Sequence, residues 1–151
     1  DDSEDIYQKA RIYYFLGDYD DAKTELNKMA DSMDERSTML LCRTYMKQDD
    51  TAHARQLYQQ YMDKYGETPE AYNGMVLCDI TDENYDSALE NITKGLALSN
   101  DKGKQDLYFN EIVVYEKKLD FVTAKTKAEA YVASYPADEA GIRENNFLKT
   151  R

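Results

Sequence analysis

Short polar turns along the chain alternate with segments in which apolar residues recur at offsets of three and four. Ile6, Ala10 and Tyr13 form the first stripe, followed by Leu41, Cys42 and Tyr45, by Tyr72, Met75 and Val76, and by Tyr108, Ile112 and Tyr115. At 3.6 residues per turn each set falls on one helix face, so each predicts an amphipathic helix with that face in the core. A second series lies between them: Leu26 and Met29, Tyr58 and Tyr61, Ile92 and Leu96, Ala128 and Tyr131. The alternation of a half-buried strand is missing. Only two prolines and six glycines interrupt a chain rich in helix formers, and the predicted class is all-α.

The second helices open alike. An aromatic residue stands three positions before an alanine in Tyr19 and Ala22, in Tyr85 and Ala88, and in Phe121 and Ala124; Thr51 and Ala54 keep the alanine without the aromatic. These alanines are spaced by 32, 34 and 36 residues, the mark of a repeated helix pair. A small residue there lets the two helices of a pair approach closely, and a larger one would wedge them apart. The predicted organisation is a single domain over residues 1–151, with repeats at 3–34, 35–67, 68–101 and 104–137 and a last helix at 138–149 capped by Asp138. In that last helix Asn145 and Asn146 stand where a continuing repeat would bury apolar side chains, while Ile142 and Leu148 can cover the fourth pair. It reads as a solubilising cap, with a truncated fifth repeat as the alternative.

The 34-residue period, the aromatic three positions before a small residue, the Gly17 turn, and Pro69 and Pro136 at unit boundaries together resemble the tetratricopeptide repeat (TPR) family over nearly the whole chain. Asp79, Glu111 and Lys9 depart from the family's first helix, and Tyr61 and Tyr131 replace a usual alanine. The resemblance implies a right-handed superhelical array of helix-turn-helix repeats whose first helices line a concave surface. It also allows one binding mode to be checked. The clamp that grips a terminal carboxylate needs Lys, Asn and Arg at positions held here by Tyr7, Arg11, Leu40, Glu70 and Gly74, so a chaperone co-factor role is not implied.

Charge narrows the partners. Thirty acidic against nineteen basic residues give a net charge of −11, a field that repels phosphate backbones and anionic headgroups, so no nucleic acid is expected. No segment has the roughly 18 consecutive apolar residues of a membrane span, so this segment is not expected to insert directly. Chemistry is sparse. The single histidine, His53, reads as an exposed helix residue, no triad can be assembled, and phosphate-loop, dinucleotide and zinc-protease motifs are missing. Cys42 and Cys78 have no metal-type spacing and sit in apolar helical contexts, predicting free buried thiols. Asn91-Ile92-Thr93 fits a glycosylation pattern inside a helix, where chance is the simpler reading. The expectation is no enzyme, no metal and no cofactor.

On the faces that the resemblance places inside the array stand Tyr7, Arg11, Tyr14 and Phe15; Met39, Arg43, Met46 and Lys47; Asn73, Leu77 and Ile80; and Phe109 and Val113. Large apolar side chains beside arginine are the makings of a peptide-binding patch, in contrast to the acidic remainder. The expected function is a protein-interaction scaffold that binds a peptide or protein segment in its concave groove. The alternative is the TPR portion of an extracytoplasmic, lipid-anchored protein packing against a domain outside this chain. The polar opening DDSED favours removal of an N-terminal signal, hence an extracytoplasmic, membrane-tethered location over a cytoplasmic one.

Overall fold

The computed structural model describes residues 2–151, and among them every regular element is helical. Four helices lie in a first compact unit that ends at Glu67: α1 (Asp2–Leu16), α2 (Tyr19–Asn27), α3 (Glu35–Lys47) and α4 (Thr51–Tyr65), with a 3₁₀ turn at Ala30–Ser32. Five lie in a second unit that begins at Thr68: α5 (Pro69–Thr81), α6 (Tyr85–Leu96), α7 (Lys104–Lys117), α8 (Phe121–Ser134) and α9 (Glu139–Leu148). Sequence neighbours pack together: α1 with α2 and α3 with α4 in the first unit, α5 with α6 and α7 with α8 in the second, and α9 against α8. The chain is thus an all-α, TPR-like succession of helix pairs closed by a last helix.

The repeat is fixed at its inner turns. Gly17, Asp49, Glu83 and Leu119 each adopt a left-handed backbone, with φ of 84°, 55°, 60° and 61°. The next residue's N–H donates five residues back, Asp18 to Tyr13 (2.9 Å), Asp50 to Tyr45 (3.0 Å), Asn84 to Asp79 (2.8 Å) and Asp120 to Tyr115 (2.9 Å). This closes the first helix with a Schellman-type bond. The carbonyl of that same residue then accepts the N–H of Ala22, Ala54, Ala88 or Ala124 and opens the second helix. The aromatic or Thr51 is therefore the first residue of each second helix. The four alanines follow one turn later, all fully buried.

In the first unit the core joins Ala10, Leu26, Leu40 and Leu41, with Tyr7, Tyr14 and Leu57 packed against them. In the second unit one cluster holds Val76, Ala88, Ile92, Leu107 and Val114, and another Ile112, Ala124, Ala128, Tyr131 and Leu148. Each fully buried Leu or Ile contributes about 1.5–3 kcal/mol. Cys42 and Cys78 are buried, and no disulfide joins them.

The departures from the family pattern have partners. Asp79 is 1% exposed, and its Oδ2 accepts from Ser87 Oγ (3.0 Å) and Asn91 Nδ2 (2.8 Å), which offsets the cost of burying a carboxylate. Asn91 is thereby committed to the fold. Glu111 pairs with Lys127 (3.4 Å) and Lys9 with Glu25 (3.6 Å). Tyr61 donates its hydroxyl to Glu35 (2.6 Å) and Tyr131 to Asp138 (2.8 Å).

Two core expectations need correcting. Tyr108 is 40% exposed, because its ring leans toward Tyr135, with centroids 6.5 Å apart, at the edge of a cleft. Ile142 is 37% exposed while Leu148 is fully buried. The contact with α8 is made by the bare α-carbon of Gly141, and Ile142 points about 100° further round the helix. Asp138 caps α9, accepting from Gly141 N–H at 3.0 Å.

Candidate functional site

The residues expected on the binding face divide between the two units. In the first, α1 projects Arg11 and Phe15 into solvent, with Phe15 75% exposed. The Phe15 ring meets Tyr14 edge-on at 5.4 Å, and the Arg11 guanidinium lies 5.9 Å from the Phe15 ring and 5.8 Å from that of Tyr7. A second arginine, Arg36 at the start of α3, sits 4.0 Å over the Tyr7 ring and bonds Glu4 Oε2 at 2.7 Å. That bond holds the Glu4 carboxyl below its usual range. Arg43 and Lys47 are exposed further along α3. Tyr7 and Tyr14 are half-buried against the core and Met39 is buried, so the accessible part of this face is the arginines, Lys47, Phe15 and the half-buried Met46.

In the second unit Asn73 accepts a hydrogen bond from Asn110 (2.7 Å), tying α5 to α7. Leu77 is 38% exposed. Ile80 packs against the core of its own pair, and Phe109 lies 5.7 Å from Tyr131 within the cluster that includes Leu148. Val113 is half-buried. Here Leu77 is the most accessible apolar member, while Phe109 is engaged by packing that reaches the last helix.

The sequence reasoning missed a cleft of about 460 Å³ between α7 and α8, walled by Tyr108, Tyr131 and Tyr135. Its charges pair off: Lys127 with Glu111, and Lys104 with Asp101 at 3.9 Å. The Tyr131 hydroxyl accepts from Gln105 (3.1 Å), and burial pushes its pKa up to about 12, so it is a neutral donor to Asp138. The four-residue spacing of Tyr131 and Tyr135 was the available signal. Also unforeseen is an exposed apolar pair at the α7–α8 turn, Leu119 at 75% and Val122 at 81%.

Other chemistry is thin. His53 stacks on Tyr45 (centroids 5.0 Å apart) and reaches Asp50 at 2.7 Å, an exposed cap interaction. Among the described residues no three His, Cys, Asp or Glu side chains are grouped to hold a metal ion. None of the described helices is long and apolar enough to cross a membrane.

Comparison with known proteins agrees with this architecture. The structure is similar to MamA AMB-1 in a P212121 crystal form, with a TM-score of 0.67 at 17% identity, over 97% of this chain and 80% of that one. It is similar to MamA MSR-1 in a C2 form, with a TM-score of 0.66 at 16% identity, over 97% and 84%. At such identity the likeness establishes the fold alone. No curated protein matches the chain. The model of one family, described as the coatomer epsilon subunit, matches residues 18–127, from the first inner turn to the middle of α8. That span is well over half of the sequence, and the chain belongs to the coatomer epsilon subunit family.

Proposed function

We propose that the protein is a non-catalytic scaffold of the tetratricopeptide type that holds a peptide or protein segment against the first helices of its repeats. The observation that carries the reading is Phe15, three-quarters exposed beneath the Arg11 guanidinium, on a chain whose net charge is −11. An exposed ring beside arginines in an otherwise acidic surface has the composition of a binding hot spot. The family supports it as well, since its description is that of a subunit, a chain that works by binding other chains. The partner is a protein segment with apolar side chains and a carboxylate to meet Arg11 or Arg43.

The test is affinity capture from the source organism with immobilised wild type, followed by affinity measurement on the purified partner. Phe15→Ala with Arg43→Glu should weaken binding at least ~30-fold, the equivalent of about 2 kcal/mol at a hot spot. Helical content and melting should stay unchanged, because both side chains project from α1 and α3 into solvent. Asp21→Asn with Asp31→Asn, also exposed, is the matched control. Loss of binding in the control and not in the Phe15 variant would transfer the function to the acidic surface.

A further inference from the structure

In the second unit α7 and α9 share the cluster of Ile112 and Leu148, and they also bring two carboxyl groups together. Glu116, near the end of α7, lies side chain to side chain against Glu144 of α9. Glu116 Oε1 is buried and has no hydrogen-bond partner, and on the neighbouring residue of α9 the same is true of Asn145 Oδ1. An ionised carboxylate only accepts hydrogen bonds, so two of them in contact have nothing to exchange until one takes up a proton. With a proton present, one group donates to the other. Without it, two negative charges face each other at a half-buried site.

We propose that docking of α9 depends on a proton shared by Glu116 and Glu144, so that the last helix acts as a pH-sensitive cover over the Phe109 and Tyr131 side of its unit. Besides this pair, α9 is held by its packing on α8 and by a few anchoring side chains. Leu148 is buried in the cluster of Ile112 and Tyr131, Gly141 lies against the Tyr131 ring, and Asp138 links the α9 N-terminus to the Tyr131 hydroxyl. Opening the helix uncovers Phe109, Ile112 and Tyr131, a contiguous apolar surface.

The electrostatic setting supports a transition near neutrality. Burial is the main cause that raises the Glu116 carboxyl, to about 7, and the bond and charge of Glu144 add to it. Lys117 on the same helix and Arg151 beyond α9 act in the opposite direction. From α8, Lys125 reaches the Arg151 carbonyl at 3.4 Å. A group whose docked pKa is raised stabilises the docked form fully below its undocked value, near 4.5, and this contribution is lost as pH rises through about 7. The docking equilibrium therefore weakens as pH rises through that window. The inference stands apart from the proposed binding face on the first unit.

Backbone amide exchange in α9 of the full chain tests it, with rates corrected for the intrinsic pH dependence of exchange. In the wild type, protection of α9 should fall by at least ~10-fold between about pH 5.5 and about pH 8, with α5 and α6 unaffected. Glu116→Gln places an amide donor where the proton sits and should hold α9 closed at both pH values. Glu144→Gln supplies the donor from the other side and should flatten the profile in the same way. Equal protection of wild-type α9 at both pH values would overturn the proposal. So would the wild-type slope persisting in both variants, which would place the titrating group elsewhere.

Discussion

Two junctions of the second unit solve the same packing problem in opposite ways. Where α6 meets α7, the second helix supplies the small residue: a β-carbon on Gly95 would stand 2.6 Å from Leu107 Cδ1 and 3.0 Å from Tyr72 Cβ. Where α8 meets α9, the second helix supplies the bulk and the incoming helix the glycine: a β-carbon on Gly141 would stand 2.4 Å from Tyr131 Cε1. Gly95 and Tyr131 occupy the same position, seven residues after the buried Ala88 and Ala124. The volume is thus conserved across a junction, while the side that carries it is free to change. The two sites differ in give. Leu107 Cδ1 is the end of a flexible chain, whereas the Tyr131 ring is flanked by Tyr135 (4.9 Å) and Phe109 (5.7 Å) and fastened at its hydroxyl.

That difference can be broken open by substitution. Gly141→Ala should have the largest effect: the gain of about 1 kcal/mol in helix propensity is outweighed by a clash with a ring that cannot yield, for a net loss of about 2 kcal/mol in urea unfolding. An unchanged midpoint would mean that α9 is free to slide on α8. Gly95→Ala should cost less, about 1 kcal/mol or below, since a rotamer change of Leu107 relieves part of the overlap. Adding Leu107→Val sharpens the point. The double variant should be more stable than the sum of the two single changes by roughly 0.5–1 kcal/mol, the coupling expected of residues in contact. The smallest effect, of opposite sign, should come from the turn that lies between these junctions. Leu119→Gly relieves about 1–2 kcal/mol of left-handed strain and costs about 0.5–1 kcal/mol in unfolded-chain entropy, a net stabilisation near ~0.5 kcal/mol. A destabilised Leu119→Gly protein would show that the exposed leucine makes a contact worth more than its strain.

Much of the fold was legible because it depends on spacing. The alanine period located the start of α2, α4, α6 and α8 to the residue, since the N–H groups of Ala22, Ala54, Ala88 and Ala124 each donate the first bond to the capping carbonyl. Helical periodicity, however, reports which face is buried and not what it is buried against. It placed Tyr108 in the core, where the structure gives it to a cleft, and it could not tell that Tyr14 turns partly inward while its neighbour Phe15 remains in water. The left-handed turns were visible only at Gly17, because Asp49, Glu83 and Leu119 carry no sign of their conformation. On the proposed binding face, the solvent-facing positions of Arg11, Phe15, Arg43 and Lys47 follow from their offsets. The burial of Met39 and the meeting of Glu116 with Glu144 depend on which helices become neighbours, and no local pattern encodes that.

The inner turns also bear on how such a sequence can change over evolutionary time. Each turn is closed and reopened by main-chain groups alone, an N–H reaching five residues back and a carbonyl receiving an alanine N–H, and these bonds form with glycine, aspartate, glutamate or leucine at the left-handed position. A joint made of backbone leaves its side chains open to drift, provided that the alanine and the summed volume at each junction persist. Lineages sharing such joints can lose nearly all resemblance residue by residue while their helices still superpose. The 16–17% identity that accompanies TM-scores of 0.66 and 0.67 shows one fold carried by very different sequences. Surface recognition is then the part of the molecule that selection can rewrite most cheaply.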